Sequence, residues 1–318
     1  MDTAAQQWFD TATFAGIDLD PAELLKAKAG QRVSVVIPAR NEAATVAAVV
    51  SQIGESLLSL GLVDELVVID SDSTDGTAEQ ARAAGAQVFA ARQIATGTEP
   101  VPGKGEALWK SLFVTTGDLL VFIDADLTEW GPHFVTGLLG PLLADQNVQL
   151  VKGFYDRLAD DLPGTDEPVP QGGRVTELCA RPLLNLYWPQ LAAVVQPLAG
   201  EWAARRSLME QLPVPVGYGV EFSTLVDTAR RFGLDAIAQV DLGRRAHRHQ
   251  SVHNLGVMAA EILAVARRRS AAPYADEVWL PRPVREVPGG WDEVQVPTGE
   301  RPPAATVEQY PNRQVHTW

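Results

Sequence analysis

The segment VFIDADL, residues 121–127, joins a run of apolar residues to two aspartates that lie one position apart. If the extended backbone continues through them, Asp124 and Asp126 point to the same side, within about 7 Å of each other. Two like charges at the buried end of a strand repel each other, and a divalent cation that prefers oxygen ligands relieves the repulsion. The segment therefore predicts a site for Mg²⁺ or Mn²⁺, although a helix cap plus one solvated aspartate explains the same residues.

Strand-like runs alternate with helical patterns on the N-terminal side of this segment. The runs VSVVIP (residues 33–38), DELVVID (residues 64–70) and QVFAA (residues 87–91) are each followed by a stretch with helical spacing or a helix-opening loop. Near-continuous apolar, β-branched runs are typical of strands buried on both faces. The sequence therefore predicts an α/β fold with a mainly parallel, Rossmann-like sheet that binds ligands at the carboxyl ends of its strands.

The chain divides at an acidic stretch rich in proline and glycine, residues 157–173. We expect an N-terminal segment at 1–30 and a ligand-binding α/β half at 31–156. A smaller, helical half at 157–270 completes the domain. Residues 271–318 contain many prolines and little periodicity, which predicts a mobile or partner-wrapped tail.

Charge and composition exclude several classes of protein. Forty acidic residues against 26 basic residues give the 318-residue chain a formal net charge of −14. Such a surface repels nucleic acid and anionic membranes, and no apolar run approaches the ~20 residues of a membrane helix. The acidic N-terminus lacks the features of a signal peptide, so we expect a cytoplasmic protein. The single cysteine, Cys179, is interpreted as a buried packing residue rather than a nucleophile.

Because the chain is acidic, clusters of basic residues are informative about anion binding. In PGKGEALWK (residues 102–110), Lys104 lies between glycines at a predicted helix N-terminus, where anions bind well. The segment is not a Walker A loop, because its spacing is one residue too long and Gly105 replaces the Ser or Thr. A solvated lysine in a loop is the alternative.

Two further segments contain candidate anion-binding residues. GRRAHRHQ (residues 243–250) places His247 and His249 on one face if it is extended, with one histidine available to a metal. In GGRVTE (residues 172–177), Arg174 and Thr176 open a helix after two glycines, which favours phosphate. A solvated basic turn and a plain helix cap explain these two segments equally well.

These segments together resemble a known family, the glucosyl-3-phosphoglycerate synthases of actinobacteria. The resemblance spans about residues 31–249 and rests on VSVVIPARNEAATV, LVVIDSDSTDGT, PGKGEALW, VFIDADL, GGRVTELCARPLL, QPLAGE, GYGVE and GLDAIAQVDLGRRAHRH. The family consists of retaining glycosyltransferases of the GT-A fold, and it has mannosyl-3-phosphoglycerate relatives. The resemblance implies transfer of a hexose from a nucleoside-diphosphate sugar to the 2-hydroxyl of 3-phosphoglycerate, with Mg²⁺ or Mn²⁺ as cofactor.

The resemblance also implies a role for individual residues. The donor is expected to contact Pro38, Ala39, Arg40, Glu42, Ser71, Lys104, Asp124, Ala125 and Leu198. The transferred sugar is expected beside Leu198 and Glu221. The metal is expected at Asp126, His247 and Asp124, with Asp126 as the direct ligand. The acceptor is expected at Gly173, Arg174, Thr176 and His249. The residues expected to act in the reaction are Glu221, Asp126 and Lys104, with Glu221 binding hydroxyls rather than forming a covalent intermediate.

Three positions depart from the family pattern. Arg40 stands where leucine is expected beside the nucleotide, so it could alter the preference between uridine and guanosine. Ala125 replaces a serine between the aspartates. His249 replaces an asparagine, which predicts that acceptor affinity depends on pH around an unperturbed pKa of about 6.5.

Some alternatives stay open from the sequence alone. UDP-glucose is the expected donor, but mannosyl transfer from GDP-mannose fits the same pocket, because one or two contacts decide such discrimination. A non-catalytic nucleotide-sugar sensor is the alternative from another class. The family suggests a homodimer, and so does an apolar helix stripe, which a core-facing helix explains as well; its residues are Leu255, Met258, Ile262 and Val265.

Overall fold

The computed structural model describes residues 3–17, 19–158, 173–246, 252–270, 278–284, 290–296 and 299–310. Its helices are α1 (Thr3–Ala12), α2 (Pro21–Ala27), α3 (Val46–Ile53), α4 (Thr77–Ala83), α5 (Lys104–Ser111), α6 (His133–Ala144), α7 (Arg181–Tyr187), α8 (Arg206–Met209), α9 (Val220–Phe232) and α10 (Val252–Arg269). Its strands are β1 (Thr13–Ala15), β2 (Val33–Ala39), β3 (Glu65–Asp70), β4 (Gln87–Ala90), β5 (Leu119–Phe122), β6 (Leu150–Leu158), β7 (Trp202–Arg205), β8 (Val214–Pro215), β9 (Ile237–Ala246), β10 (Val278–Val284), β11 (Gly290–Val296) and β12 (Glu300–Arg301).

Eight strands form one mixed sheet in the order β1-β9-β6-β7-β5-β2-β3-β4. Neighbouring strands run parallel except at β7, which is antiparallel to both β5 and β6. The apolar runs read from the sequence are β2, β3, β4 and β5, and they lie side by side as β5-β2-β3-β4. The predicted α/β class with a mainly parallel sheet is therefore confirmed.

Helices cover both faces of the sheet, which explains why its strands are apolar on both sides. One core contains buried residues of α2, α3, α4 and α6 together with alternate positions of the strands. The opposite core contains buried residues of α1, α5, α7, α8, α9 and α10. Within the described ranges, no helix is long and apolar enough to cross a bilayer.

Strands from both predicted halves of the domain hydrogen-bond within the same sheet. From the second half, β7 pairs with β5, and β9 pairs with β6 in parallel from Leu150↔Ile237 onward. The N-terminal segment also contributes, because β1 pairs with β9 at the edge of the sheet. These pairings bring the carboxyl end of β9 beside the segment that follows β5.

The predicted mobile or partner-wrapped tail is wrong for residues 299–310, which we call the C-terminal strap. Within the strap Ala304 is fully buried and Tyr310 is 5% exposed. The ring of Tyr310 packs edge-on against Phe113, with 5.1 Å between ring centroids. The prolines interrupt periodicity, but they leave these side chains free to pack, and composition alone does not reveal their partners.

An ion pair fastens the C-terminal strap to α5. Arg301 Nε donates to Glu106 Oε2 at 2.7 Å, and the Glu106 side chain is only 1% exposed. The Arg301 guanidinium also lies 5.6 Å from the ring centroid of Trp109, whose Nε1 donates to the carbonyl of Pro302. The strap therefore braces the helix that begins at Lys104.

Arg301→Ala is expected to lower the free energy of unfolding by about 1.5–3 kcal/mol, because it removes one of two cations from the buried Glu106 carboxylate, which keeps its ion pair with Lys110. Urea unfolding measures this. Arg82→Ala, at an exposed position of α4, is the control and should stay within about 0.5 kcal/mol of the wild type. Equal stability of the two variants would contradict the bracing role of the strap.

Candidate active site

Two loops at the carboxyl ends of β2 and β3 are joined by side-chain hydrogen bonds. The backbone N–H of Asn41 donates to Ser73 Oγ at 2.9 Å, and the N–H of Thr74 donates to Asn41 Oδ1 at 2.9 Å. Asn41 and Asp72 both have a positive φ of 58°. Since such backbone conformations are uncommon outside glycine, the surrounding hydrogen bonds must hold the loops in place.

A cleft of about 590 Å³ opens beside these loops. Its wall comprises Pro38, Ala39, Arg40, Glu42, Ser71, Pro102, Gly103, Lys104, Asp124, Ala125, Asp126, Gly217, Tyr218, Val257 and Glu261. Eight of the nine residues expected at the donor line this cleft, and so does Asp126, whereas Leu198 is not part of the lining. The cleft lies where an open α/β sheet binds ligands, at the carboxyl ends of its strands.

Lys104 links Asp124 of this wall to Glu221, which is not one of the lining residues. Its Nζ lies 2.7 Å from Asp124 Oδ1 and 2.8 Å from Glu221 Oε1. Burial by itself lowers the pKa of Lys104, but the two carboxylates outweigh burial and raise that pKa well above its usual value. Lys104 therefore stays charged, and its first-turn position on α5 adds the positive end of a helix dipole.

Asp124 is the central carboxylate of the site. Arg245 Nη2 lies 3.3 Å from Asp124 Oδ2, so one oxygen faces each cation. Burial opposes ionisation, yet Lys104 and Arg245 hold the pKa of Asp124 far below its usual range. Gly200 packs directly against this carboxylate, and a Cβ at Gly200 would overlap its oxygens.

Gly200→Ala is therefore expected to lower activity at least tenfold, because the added methyl group displaces Asp124 from its two cations. The assay is initial transfer rate with saturating substrates. Gly54→Ala is the control, since a Cβ at Gly54 meets nothing within 4 Å. The site geometry described above is contradicted if both variants keep the wild-type rate.

Arg245 is the hub of a buried network that the sequence did not reveal. Its Nη2 lies 3.1 Å from Asp126 Oδ1, and its Nη1 lies 3.0 Å from Glu201 Oε2 and donates to the hydroxyl of Tyr155. Tyr155 in turn donates to Glu201 Oε2 at 2.8 Å. Among the described residues, Glu201 Oε1 and Arg245 Nε have no hydrogen-bond partner. These two atoms can therefore still form hydrogen bonds close to Asp124 and Asp126.

The sequence contains the residues of this network in two recognisable segments, but their pairing can be recognised only when the order of the strands in the sheet is known. Arg245 belongs to GRRAHRHQ and Glu201 to QPLAGE, yet the pairing needs β9 to lie beside β6 and β7. Lys152 of β6 is a further buried cation, and burial lowers its pKa to about 8. It donates to the carbonyl of Ala199 at 2.8 Å.

The candidate metal ligands are only partly described. Asp126 lines the cleft with a side chain 30% exposed, more open than Asp124 at 21%. His247 lies outside the described residues. Within the described part of the chain, no three His, Cys, Asp or Glu side chains group together as a metal site. The two aspartates supply the hard oxygen ligands that Mg²⁺ or Mn²⁺ prefers, so they fit the predicted ion.

Of the candidate acceptor residues, the three that the structure describes, Gly173, Arg174 and Thr176, do not belong to the lining of the cleft. Gly173 accepts from the N–H of Glu177, and Thr176 is buried in the π-helical turn Thr176–Ala180 that precedes α7. Arg174 is exposed, and His249 lies outside the described residues. Leu198 is partly buried and packs against the core on the α5 side of the sheet.

Cys179 is confirmed as a buried packing residue. Its Sγ donates to the carbonyl of Ala259 in α10 at 3.7 Å, and burial raises the pKa of the thiol to about 11. A thiol with such a pKa is a poor nucleophile at neutral pH. The chemistry of the site therefore rests on its carboxylates and cations.

Glu261 is the one of the four carboxylates in the wall that sequence reasoning missed. Burial raises the pKa of Glu261 to about 7, so the folded chain holds this proton more tightly than the unfolded chain does. The free energy of unfolding should therefore fall as pH rises from about 4.5 to about 7. Glu261→Gln should remove this contribution, and urea unfolding at pH 5 and pH 8 measures the difference.

The control for this pH dependence is Glu308→Gln at an exposed position. The stability gain of Glu261→Gln over the wild type is expected to be larger at pH 8 than at pH 5, whereas Glu308→Gln should show no such trend. A gain that is independent of pH would contradict the raised pKa.

Comparison with known proteins identifies the family. A model of glycosyl transferase family 2 matches residues 34–169. Glucosyl-3-phosphoglycerate synthase of Mycobacterium tuberculosis is 51% identical over 254 residues, which cover 79% of this chain and 77% of that protein. This chain belongs to the glucosyl-3-phosphoglycerate synthase family. The synthase of Petrotoga mobilis is 43% identical over 247 residues, which cover 77% of this chain and 75% of that protein.

Crystal structures of the M. tuberculosis synthase share the fold. Its complex with Mn²⁺, UDP-glucose and phosphoglyceric acid matches with a TM-score of 0.82 and 45% identity, covering 92% of this chain and 97% of that chain. Its complex with Mn²⁺, UDP and glucosyl-3-phosphoglycerate matches with a TM-score of 0.80 and 45% identity, covering 90% and 95%. The family and the GT-A fold predicted from the sequence are therefore confirmed.

Proposed function

We propose that this chain is a retaining glucosyltransferase that moves glucose from UDP-glucose to the 2-hydroxyl of 3-phosphoglycerate. The observation that carries the proposal is the charged cluster at the cleft wall, where Lys104 joins Asp124 and Glu221. Family membership supports it, because a relative with 45% identity binds UDP-glucose and phosphoglyceric acid in one complex. A cleft with fixed cations suits an anionic donor in a strongly acidic chain.

The donor nucleotide is assigned to the loops that follow β2 and β3. Their backbone groups are held rigidly by the hydrogen bonds of Asn41 and Ser73, and rigid loops position a ligand at low entropic cost. The diphosphate is assigned to the N-terminus of α5, where the Lys104 ammonium and the positive end of the helix dipole meet negative charge. Arg40 stands exposed at the rim, beside the expected base.

Mg²⁺ or Mn²⁺ is assigned to Asp126 and His247, with Asp124 holding a metal-bound water or the ribose. When bound, the ion stabilises negative charge on the departing diphosphate. Arg245 holds Asp126 and Asp124 in place through contacts of 3.1 and 3.3 Å, so their carboxylates keep their positions relative to each other. Lys104 places its positive charge next to the departing diphosphate as well.

Glu221 is assigned to the sugar rather than to a covalent step. Its Oε1 is held 2.8 Å from Lys104 Nζ, and its side chain is 5% exposed. A carboxylate fixed in this way serves as a hydrogen-bond acceptor for sugar hydroxyls, with Leu198 proposed at the other side. The acceptor is assigned to Gly173, Arg174, Thr176 and His249. The homodimer, the cytoplasmic location and the domain bounds stay predictions of the sequence.

An assay of purified protein with 3-phosphoglycerate and Mg²⁺ tests the proposal. UDP-glucose, UDP-galactose, GDP-glucose and GDP-mannose are compared as donors, and product is detected by mass. Transfer from UDP-glucose is expected to dominate. Dominant transfer from GDP-mannose would make the chain a mannosyltransferase, and donor binding without transfer from any donor would make it a sensor.

A further inference from the structure

A short turn, residues 216–219, contacts both helices that carry the Lys104–Glu221 ion pair. It connects β8 to α9, and Glu221 is the second residue of α9. Its carbonyls also receive the first N–H groups of α5: Gly105 N–H donates to Gly217 O at 3.2 Å, and Glu106 N–H donates to Val216 O at 2.9 Å. Such N–H groups have no partner within their own helix. The turn therefore sets the place of both α5 and α9.

The turn and α5 approach each other too closely for side chains at the contact. A Cβ at Gly103 would overlap the carbonyl of Val216, and a Cβ at Gly105 would overlap the carbonyl of Pro215. Gly103 also has a positive φ of 151°. A small displacement of the turn is thus transmitted directly to the backbone around Lys104.

Glu261 of α10 holds the opposite side of this turn. The N–H of Tyr218 donates to Glu261 Oε2 at 2.5 Å, and Glu261 is 4% exposed. A Cβ at Gly217 would overlap the Glu261 carboxylate, and a Cβ at Gly219 would lie 2.5 Å from Val265 Cγ2. The Glu261 carboxylate therefore holds the turn by a hydrogen bond at a point where the turn lies close to α10.

We propose that Glu261 is a positioning residue for glucosyl transfer. Glu261 accepts a hydrogen bond from the N–H of Tyr218 and so fixes the 216–219 turn. The turn then holds Lys104 in place against Asp124 and Glu221. The inference rests on the proposed function and adds to it a residue of the cleft wall that acts on Lys104 and Glu221 through the turn. Since Lys104 neutralises charge that develops as the diphosphate leaves, loss of its position lowers kcat more than it changes binding of the donor.

Two variants of similar size separate the hydrogen bond from packing. Glu261→Gln keeps an oxygen that accepts the Tyr218 N–H, whereas Glu261→Met fills the same space without an acceptor. For Glu261→Met we expect kcat to fall at least tenfold with KM for UDP-glucose within about threefold, since a misplacement of 1 Å can cost about a hundredfold. For Glu261→Gln we expect kcat within about threefold of the wild type. If Glu261→Met does not fold, Glu261→Ala replaces it with the same expected loss.

Hydrogen exchange of the peptide that covers residues 215–221 provides a readout that does not need activity. Exchange is expected to be faster in Glu261→Met than in the wild type and unchanged in Glu261→Gln. If the wild-type protein transfers no glucose while the two variants still show this exchange pattern, the proposed function is wrong but the contact between Glu261 and the turn is supported. The inference is overturned if folded Glu261→Met keeps the wild-type kcat, or if Glu261→Gln loses as much activity as Glu261→Met.

Discussion

Lys104→Met is expected to lower kcat/KM for UDP-glucose by about a hundredfold or more, which is the loss seen when one preorganised electrostatic group is removed from an active site. The variant deletes the cation that lies 2.7 Å from Asp124 and 2.8 Å from Glu221. Both carboxylates then lose a cation that compensates their charge. The departing diphosphate also loses a fixed positive charge. Steady-state kinetics across UDP-glucose concentrations measure the effect.

Lys110→Met is the matched control in the same helix. Lys110 is 1% exposed, forms a 3.2 Å ion pair with Glu106 and donates to the carbonyl of Ala91, all away from the cleft wall. Both variants remove a lysine that forms an ion pair with a buried glutamate and should destabilise the fold to a similar degree in urea. Only Lys104→Met should lose activity out of proportion to its stability. Equal losses of kcat/KM in the folded variants would show that Lys104 acts only through stability.

Arg245→Met is the second variant with a large expected effect. It leaves the buried Glu201 carboxylate without its cation and removes one contact from each aspartate of VFIDADL. Breaking a buried ion pair in this way costs about 3–5 kcal/mol of the free energy of unfolding. Activity should fall at least tenfold, because Asp126 loses the contact that holds it. Urea unfolding and initial rates measure the two effects.

The double variant Glu201→Gln/Arg245→Met separates these contributions. Replacing Glu201 removes the unpaired buried charge, so the double variant should be more stable than Arg245→Met. Its activity should stay low, since the aspartates still lack Arg245. Recovery of full activity in the double variant would show that Arg245 serves stability alone.

The parts of the fold that follow from local pattern could be predicted. The apolar runs of β2, β3 and β5 and the helical spacing between them indicate a parallel sheet, because each strand is buried on both faces. β7 could not be recognised in this way, since its four residues lie in a stretch with little periodicity. β1 has three residues and gains its place only by pairing with β9.

The residues of the candidate site likewise divide into those that local pattern reveals and those that it does not. Asp124 and Lys104 were recognised because each lies at the end of a clear element, and the structure brings their charged atoms to 2.7 Å. Arg245, Glu201 and Glu261 lie 45 or more residues beyond residue 156, where the predicted donor half ends, and only long-range strand pairing and helix packing place them near the cleft. Periodicity reports which face of an element is buried, but it does not report which buried charges meet.

The C-terminal strap shows the limit of reading from composition. Its prolines and weak periodicity favoured a mobile segment, yet Arg301 finds the buried Glu106 and Tyr310 packs on Phe113. A single long-range ion pair and a few aromatic contacts outweigh the absence of regular structure. Such contacts leave no local signal in the sequence.

The configuration of the product is the most direct test of the central claim, that this cleft transfers glucose to 3-phosphoglycerate with retention. Purified protein, UDP-glucose, 3-phosphoglycerate and Mg²⁺ are incubated in an NMR tube, and the anomeric proton of the new glucoside is observed as it forms. We expect one product with an α-glucosyl linkage at the 2-hydroxyl of 3-phosphoglycerate, matching the α configuration of the donor. A β-linked product, or free glucose with no glucoside, would contradict the account.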